Sequence, residues 1–147
     1  MNTSTASIFR RRYTPDEINK IHENSAVERL GIEFTEVGEN FMRARMPVDR
    51  RTTQPLGVLH GGSSVLLAET MGSLAGIMCV DEGWTAVGLG INANHLRAVR
   101  AGWVTGTCRP VHLGRNTQVW TIEIVDDDNR LVCVSRMTLA VIPLGRV

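Results

Sequence analysis

The 147 residues carry 16 basic and 15 acidic side chains, a formal charge of +1, so no global field draws the chain to nucleic acid or to an anionic membrane. Any anionic ligand has to be held by local charges. A chain of this length fits one domain, since domains cluster near ~100–150 residues and a single core still buries most of the apolar surface at that size. Cys79, Cys108 and Cys133 lie far apart and form no CxxC pair, so they read as free, buried thiols of a reducing compartment, and a cytoplasmic location is expected.

Residues 1–13 read as a loosely ordered arm ahead of one domain over residues 14–147. The basic cluster at residues 10–12 is followed by no apolar run, which argues against a secretory signal. Thr14-Pro15-Asp16-Glu17 is a helix start: Thr14 caps, Pro15 suits the first helical position, and Glu17 completes a capping box. Ile18 and Ile21 give this short helix one apolar edge. Residues 31–37 and 41–48 read as two strands of a hairpin joined by Gly38-Glu39-Asn40. A loop over 49–59, rich in Arg, Thr, Gln and Pro, leads into a helix predicted over 61–80.

That helix is apolar round most of its circumference, the mark of a helix surrounded by protein. Its apolar run, residues 65–80, contains Glu69 and falls short of the ~20 residues that span a bilayer. Ala68, Gly72 and Gly76 form a stripe without bulk that would let other backbone approach closely, and Glu69 and Ser73 form the neighbouring stripe. Four more strands follow, over 86–95, 102–110, 118–125 and 131–142, with Asp126-Asp127-Asp128-Asn129 as the clearest turn. The order α-β-β-α-β-β-β-β predicts an α+β fold: an antiparallel sheet of about six strands, largely hairpin-connected, curled round one long helix, with a short N-terminal helix.

Several chemistries are excluded by pattern. Neither Gly61-Gly62-Ser63-Ser64-Val65 nor Gly72-Ser73-Leu74-Ala75-Gly76 has the spacing of a G-x-S-x-G elbow. His22, His60, His95 and His112 make no HxH or HExxH pair, so no metal site is expected. Gly88-Leu89-Gly90 lacks the third glycine and the helix of a dinucleotide motif, and there is no P-loop.

Two features suggest catalysis. At His60-Gly61-Gly62 the glycine amides would point outward, unpaired, at the positive end of the helix dipole, where they can polarise a carbonyl or hold an oxyanion. The plainer alternative is a tight entry turn. Glu69 is the other feature, because an unpaired buried carboxylate is costly. An ion pair with Arg97 or Arg136, or exposure at a gap in the sheet, would also account for it. Glu69 and Gly61 would lie about 12 Å apart along the helix axis, too far to act on one carbon within one chain, so the halves of a site are expected from two subunits. Ser73, one turn after Glu69, could orient the carboxylate or a water. Arg97 and Arg100, with the His112-Leu113-Gly114-Arg115 turn, are candidates for binding an anion.

Gln54-Pro55-Leu56-Gly57-Val58-Leu59-His60-Gly61-Gly62, Leu67-Ala68-Glu69-Thr70-Met71-Gly72-Ser73, Gly88, Asn92-Ala93-Asn94-His95-Leu96-Arg97 and His112-Leu113-Gly114-Arg115 together resemble the hotdog-fold acyl-CoA thioesterases. The similar branch is that of the 1,4-dihydroxy-2-naphthoyl-CoA hydrolases, the proofreading thioesterases of enterobactin synthesis and the Arthrobacter-type 4-hydroxybenzoyl-CoA thioesterases. The resemblance runs from about residue 14 to residue 142. It implies a homotetramer, a dimer of dimers with sites at the dimer interface, acting on an aromatic or medium-chain acyl-CoA without metal or other cofactor, CoA being part of the substrate. It also implies Glu69 as nucleophile or general base, the Gly61 amide on the thioester carbonyl, Gln54 and His60 aligning the thioester, and Ser73 placing the water or the carboxylate. Gly88, His95, Leu96, Arg97, Ala98, His112, Leu113, Gly114, Arg115, Asn116 and Thr117 match the stretches that hold the CoA arm and phosphates. Gly90 stands where close relatives often carry a larger or acidic residue. Two other readings compete with the enzyme: a non-catalytic acyl-CoA-binding module, and a hydratase, which would be expected to show a His-based pair on the helix.

Overall fold

In the computed structural model, which describes residues 6–147, the chain forms the expected capped helix, α1 (Pro15–Ile21). The Thr14 hydroxyl accepts from the Glu17 amide at 3.3 Å, and the Glu17 carboxylate accepts from the Thr14 amide at 2.8 Å. Two donors that the helix leaves orphaned are thereby satisfied. A four-residue helix, α2 (Ala26–Arg29), follows, which the sequence reading does not include. Ser25 caps it by accepting from the Val27 amide, a signal too local to be told from a turn.

β1 (Glu33–Val37) and β2 (Met42–Pro47) make the expected hairpin, and the long helix α3 (Gly61–Met78) leads to β3 (Trp84–His95), β4 (Trp103–Leu113), β5 (Thr117–Asp126) and β6 (Leu131–Pro143). All pairs are antiparallel, in the order β1-β2-β4-β5-β6-β3, and the sheet wraps α3 in a hotdog fold. Consecutive strands do not always pair: β2 joins β4, and β3 crosses to β6. β4 was expected to stop at Pro110 but runs to Leu113. Past Cys108 it has only β5 beside it, so the missing proline N–H breaks no ladder.

The core lies between α3 and alternate residues of the sheet. Leu67, Ala68, Met71, Ala75 and Met78 meet Val104, Cys108, Trp120, Ile122, Ile124, Cys133, Met137 and Leu139, all buried. The small stripe on α3 receives side chains rather than backbone, a correction to the sequence reading. A Cβ at Gly72 would stand 2.6 Å from Met137 Sδ, and one at Gly76 would run into Leu139 Cδ1 and stand 2.7 Å from Gln118 Oε1. Cys108 and Cys133 are buried as expected, whereas Cys79 is only partly so, and burial still pushes its thiol up to about 12.

Of the arm expected over residues 1–13, residues 1–5 lie outside the described residues and residues 7–12 are fastened to the body. The amides of Ile8, Arg10 and Arg11 donate to Glu39 and Met78 carbonyls, Phe9 is 4% exposed, and Arg10 and Arg12 pair with Asp81 and Glu39 at 2.7 Å. The segment supplies donors to a helix C-terminus that otherwise leaves carbonyls open. β3 forms one margin of the sheet, a strand of twelve residues paired with β6 on one side only, with a bulge at Leu89. Among the described residues no helix is long and apolar enough to cross a membrane.

Candidate active site

The loop before α3 is held at both ends by backbone bonds. His60 donates to Thr52 at 2.8 Å, Leu59 donates to Val99 at 2.7 Å, and the Gln54 carbonyl accepts from Gly57, whose φ of +71° suits glycine. Arg100, an expected anion ligand, instead donates to the Leu56 carbonyl at 3.3 Å, so it braces this loop. Across the gap the Leu96 amide donates to Val132 at 2.8 Å and brings the end of β3 to the mouth of the helix.

At the helix start the two glycine amides differ, which revises the expectation that both are unpaired. Gly62 donates to His60 Nδ1 at 2.8 Å. His60 therefore caps α3 with Nδ1 unprotonated and carries any neutral-ring proton on Nε2. The Gly61 amide has no acceptor among the described residues. The His95 ring packs on Gly61, where a Cβ would stand 2.8 Å from His95 Nε2. A side chain at position 61 would therefore collide with the imidazole.

Gln54, Gly61, His95, Leu96, Arg97 and Ala98 line one cleft of about 370 Å³, together with Val58, Leu59, Ser64 and Val132. The last four are absent from the sequence-based set. The polar groups here are an amide side chain, a free backbone N–H, a hydroxyl, an imidazole and a guanidinium, and no carboxylate is present. Such a cleft suits an oxygen on which negative charge grows.

Glu69 is not in this cleft. It is half-buried on α3, two turns on, and forms no ion pair or hydrogen bond among the described residues, with Arg97 and Arg136 included. Its Oε1 would lie 2.7 Å from a Cβ at Gly88 on the edge strand β3. Ser73, half-buried, follows one turn later. Thus Glu69 and Gly88 form a second group, separated from Gly61 by about 12 Å of helix rise.

The remaining expected residues stand elsewhere. Leu113, Gly114 and Arg115, at the β4–β5 connection, line a cavity of about 650 Å³ with Arg10, Asp81 and Trp84. The Gly114 amide donates to Thr117, and the Asn116 carbonyl accepts from Val141, so backbone bonds fix the tip. His112 lies on β4 with its ring against Gly114. His112, Asn116 and Thr117 are exposed and line neither hollow. Among the described residues no three His, Cys, Asp or Glu side chains stand close enough to hold a metal ion.

Residues 56–133 match the family model described as Thioesterase superfamily, a stretch that includes Gly61, Glu69, Gly88 and His95. The chain is 49% identical over 135 residues to the 1,4-dihydroxy-2-naphthoyl-CoA hydrolase of Escherichia coli, covering 92% of this chain and 99% of that protein. It is 48% identical over 134 residues to the proofreading thioesterase EntH of Cronobacter turicensis, covering 91% and 98%. The crystal structure of a thioesterase from Haemophilus influenzae superposes with a TM-score of 0.91 at 57% identity, over 93% of this chain and 96% of that one.

Proposed function

Because this chain belongs to the thioesterase superfamily and is a thioester hydrolase, we propose that it cleaves an aromatic acyl-CoA of hydroxybenzoyl or dihydroxynaphthoyl type, or a medium-chain acyl-CoA, to the free acid and CoA. The observation that carries this reading is the separation of a cleft rich in donors at Gly61 from the Glu69 carboxylate on α3, unpaired among the described residues and set against the edge strand β3. Two chains joined edge to edge along β3 would bring the Glu69 of one to the Gly61 cleft of the other. The row of backbone groups left unpaired on β3, with Leu89 64% exposed beside it, supports such a junction.

In this mechanism the Gly61 amide polarises the thioester carbonyl and Gln54 aligns it, while His60, which caps the Gly62 amide and does not line the cleft, fixes the helix start that presents Gly61. Glu69 either attacks the carbonyl carbon itself, giving an anhydride that water opens, or takes a proton from water whose oxygen attacks. In both routes the C–S bond breaks, a C–O bond to oxygen forms, and a proton ends on the departing thiolate, a good leaving group. Ser73 positions the carboxylate or the water. Gly88, the residues from His95 to Ala98 and those from His112 to Thr117 hold the CoA arm and phosphates, with Arg97 and Arg115 as the charges. No metal or redox cofactor enters. The enzyme works as a cytoplasmic homotetramer. Its second contact uses the outer sheet face, where Val119, Thr121, Val134, Thr138 and Ala140 remain half-buried in the single chain.

Two measurements test the reading. With a panel of acyl-CoAs, wild type should release thiol and Glu69→Ala should not; equal turnover by the variant would remove Glu69 from the mechanism. Mixing refolded Gln54→Ala and Glu69→Ala chains should restore on the order of a quarter of wild-type activity, since half the dimers are mixed and each of those keeps one intact site. No recovery would sink the shared site.

A further inference from the structure

We propose that the Ser64 hydroxyl is a second donor to the thioester carbonyl oxygen, acting beside the Gly61 amide; this rests on the reading of the cleft given above. Ser64 is 1% exposed, yet its hydroxyl bonds to no described atom. A helical hydroxyl usually turns back to the carbonyl four residues earlier, as Thr70 does to Leu66 at 2.7 Å. For Ser64 that carbonyl is His60 O, which already accepts the Ser63 and Ser64 amides at 2.9 and 3.3 Å. The hydroxyl is also not sealed in the core as Ser135 Oγ is, the one wholly buried side-chain polar atom without a partner among the described residues. Instead Ser64 lines the cleft with Gly61, Gln54 and His95.

The helix geometry directs it there. Ser64 lies three positions after Gly61 on the same face, and side chains on a helix lean toward its N-terminus. The hydroxyl is thus carried back over the first turn, toward the point where the free Gly61 amide and the positive end of the dipole converge. No carboxylate of the same chain lines the cleft among the described residues. As the carbonyl becomes tetrahedral, charge collects on its oxygen. A donor already fixed in place then stabilises the transition state more than the ground state.

The test uses the full-length enzyme and the acyl-CoA panel. Ser64→Ala should lower kcat by about 10²-fold, the scale of one lost oxyanion donor, with KM nearly unchanged. Its Tm should hold or rise, because a buried hydroxyl without a partner is removed. Ser64→Cys, a weaker donor of similar size, should fall between the two in kcat. Unchanged kcat in Ser64→Ala, or a fall in kcat matched by a fall in Tm, would overturn the proposal. If wild type turns over and only Glu69→Ala is dead, Ser64 is excluded while the thioesterase reading stands. If wild type releases no thiol from any acyl-CoA, both fall.

Discussion

In the proposed mechanism a single Cβ added at Gly88 would displace the Glu69 carboxylate. The added methyl would stand 2.7 Å from Glu69 Oε1 and 3.1 Å from Met137 Cε, so Gly88→Ala has to push the carboxylate aside. Misplacement of a catalytic group by about 1 Å can cost about 10²-fold, and a kcat loss of that order is expected. Gly90→Ala, two residues on, meets nothing within 4 Å and should leave thiol release unchanged. Equal effects from the two would show that Gly88 matters for strand geometry and not for Glu69. The sequence names Glu69, Gly88 and Gly61 as candidates, but not what stands against each of them. Gly61 and Gly62 are chemically alike, yet of the two only the Gly61 amide lacks an acceptor among the described residues, because the ring of His60 turns back onto the other. Ser64 stands next to Ser63 in a string that the sequence reading treats only as lacking an elbow. It is buried and lines the cleft, and no local pattern encodes that.

At the scale of elements, α3 was readable because its features are local: a glycine entry, an apolar circumference and one acid. What packs into its small stripe was not. Gly76 is crowded by the rigid branch of Leu139, by Gln118 and by Ala86 at 3.2 Å, whereas Gly72 faces the flexible thioether of Met137. Overpacking of a tight core typically costs about 1–3 kcal/mol, against about 1 kcal/mol gained by replacing a helical glycine with alanine. Gly76→Ala should therefore lower Tm in a thermal melt, while Gly72→Ala should leave it nearly unchanged, since Met yields easily. A stabilised Gly76→Ala would mean that Leu139 repacks freely. The capping box of α1 formed as its residues dictate, through bonds only three positions apart. β4 outran its proline because the identity of its neighbours, not its own composition, decides where pairing must stop.

For the whole molecule, the N-terminal segment is the clearest departure from local reading. Residues 7–12 contain no regular element, yet they tie the β1–β2 turn at Glu39 to the end of α3 at Met78 and Asp81. Phe9→Ala should cost about 3 kcal/mol, as for other buried aromatics cut to alanine, seen as a lower urea midpoint. A change of only a few tenths would mean that the segment rests on the surface without supporting it. Sequence by itself determined α1, α3, the six strands, the hotdog class and the thioesterase family, because periodicity, capping and motif strings act over a few neighbouring positions. Only the tertiary structure decided that β3 crosses to the sheet edge beside β6, setting Gly88 against Glu69 and His95 against Gly61. Strand order is set by which faces can be buried together, a balance struck across the whole chain that no short stretch of it carries.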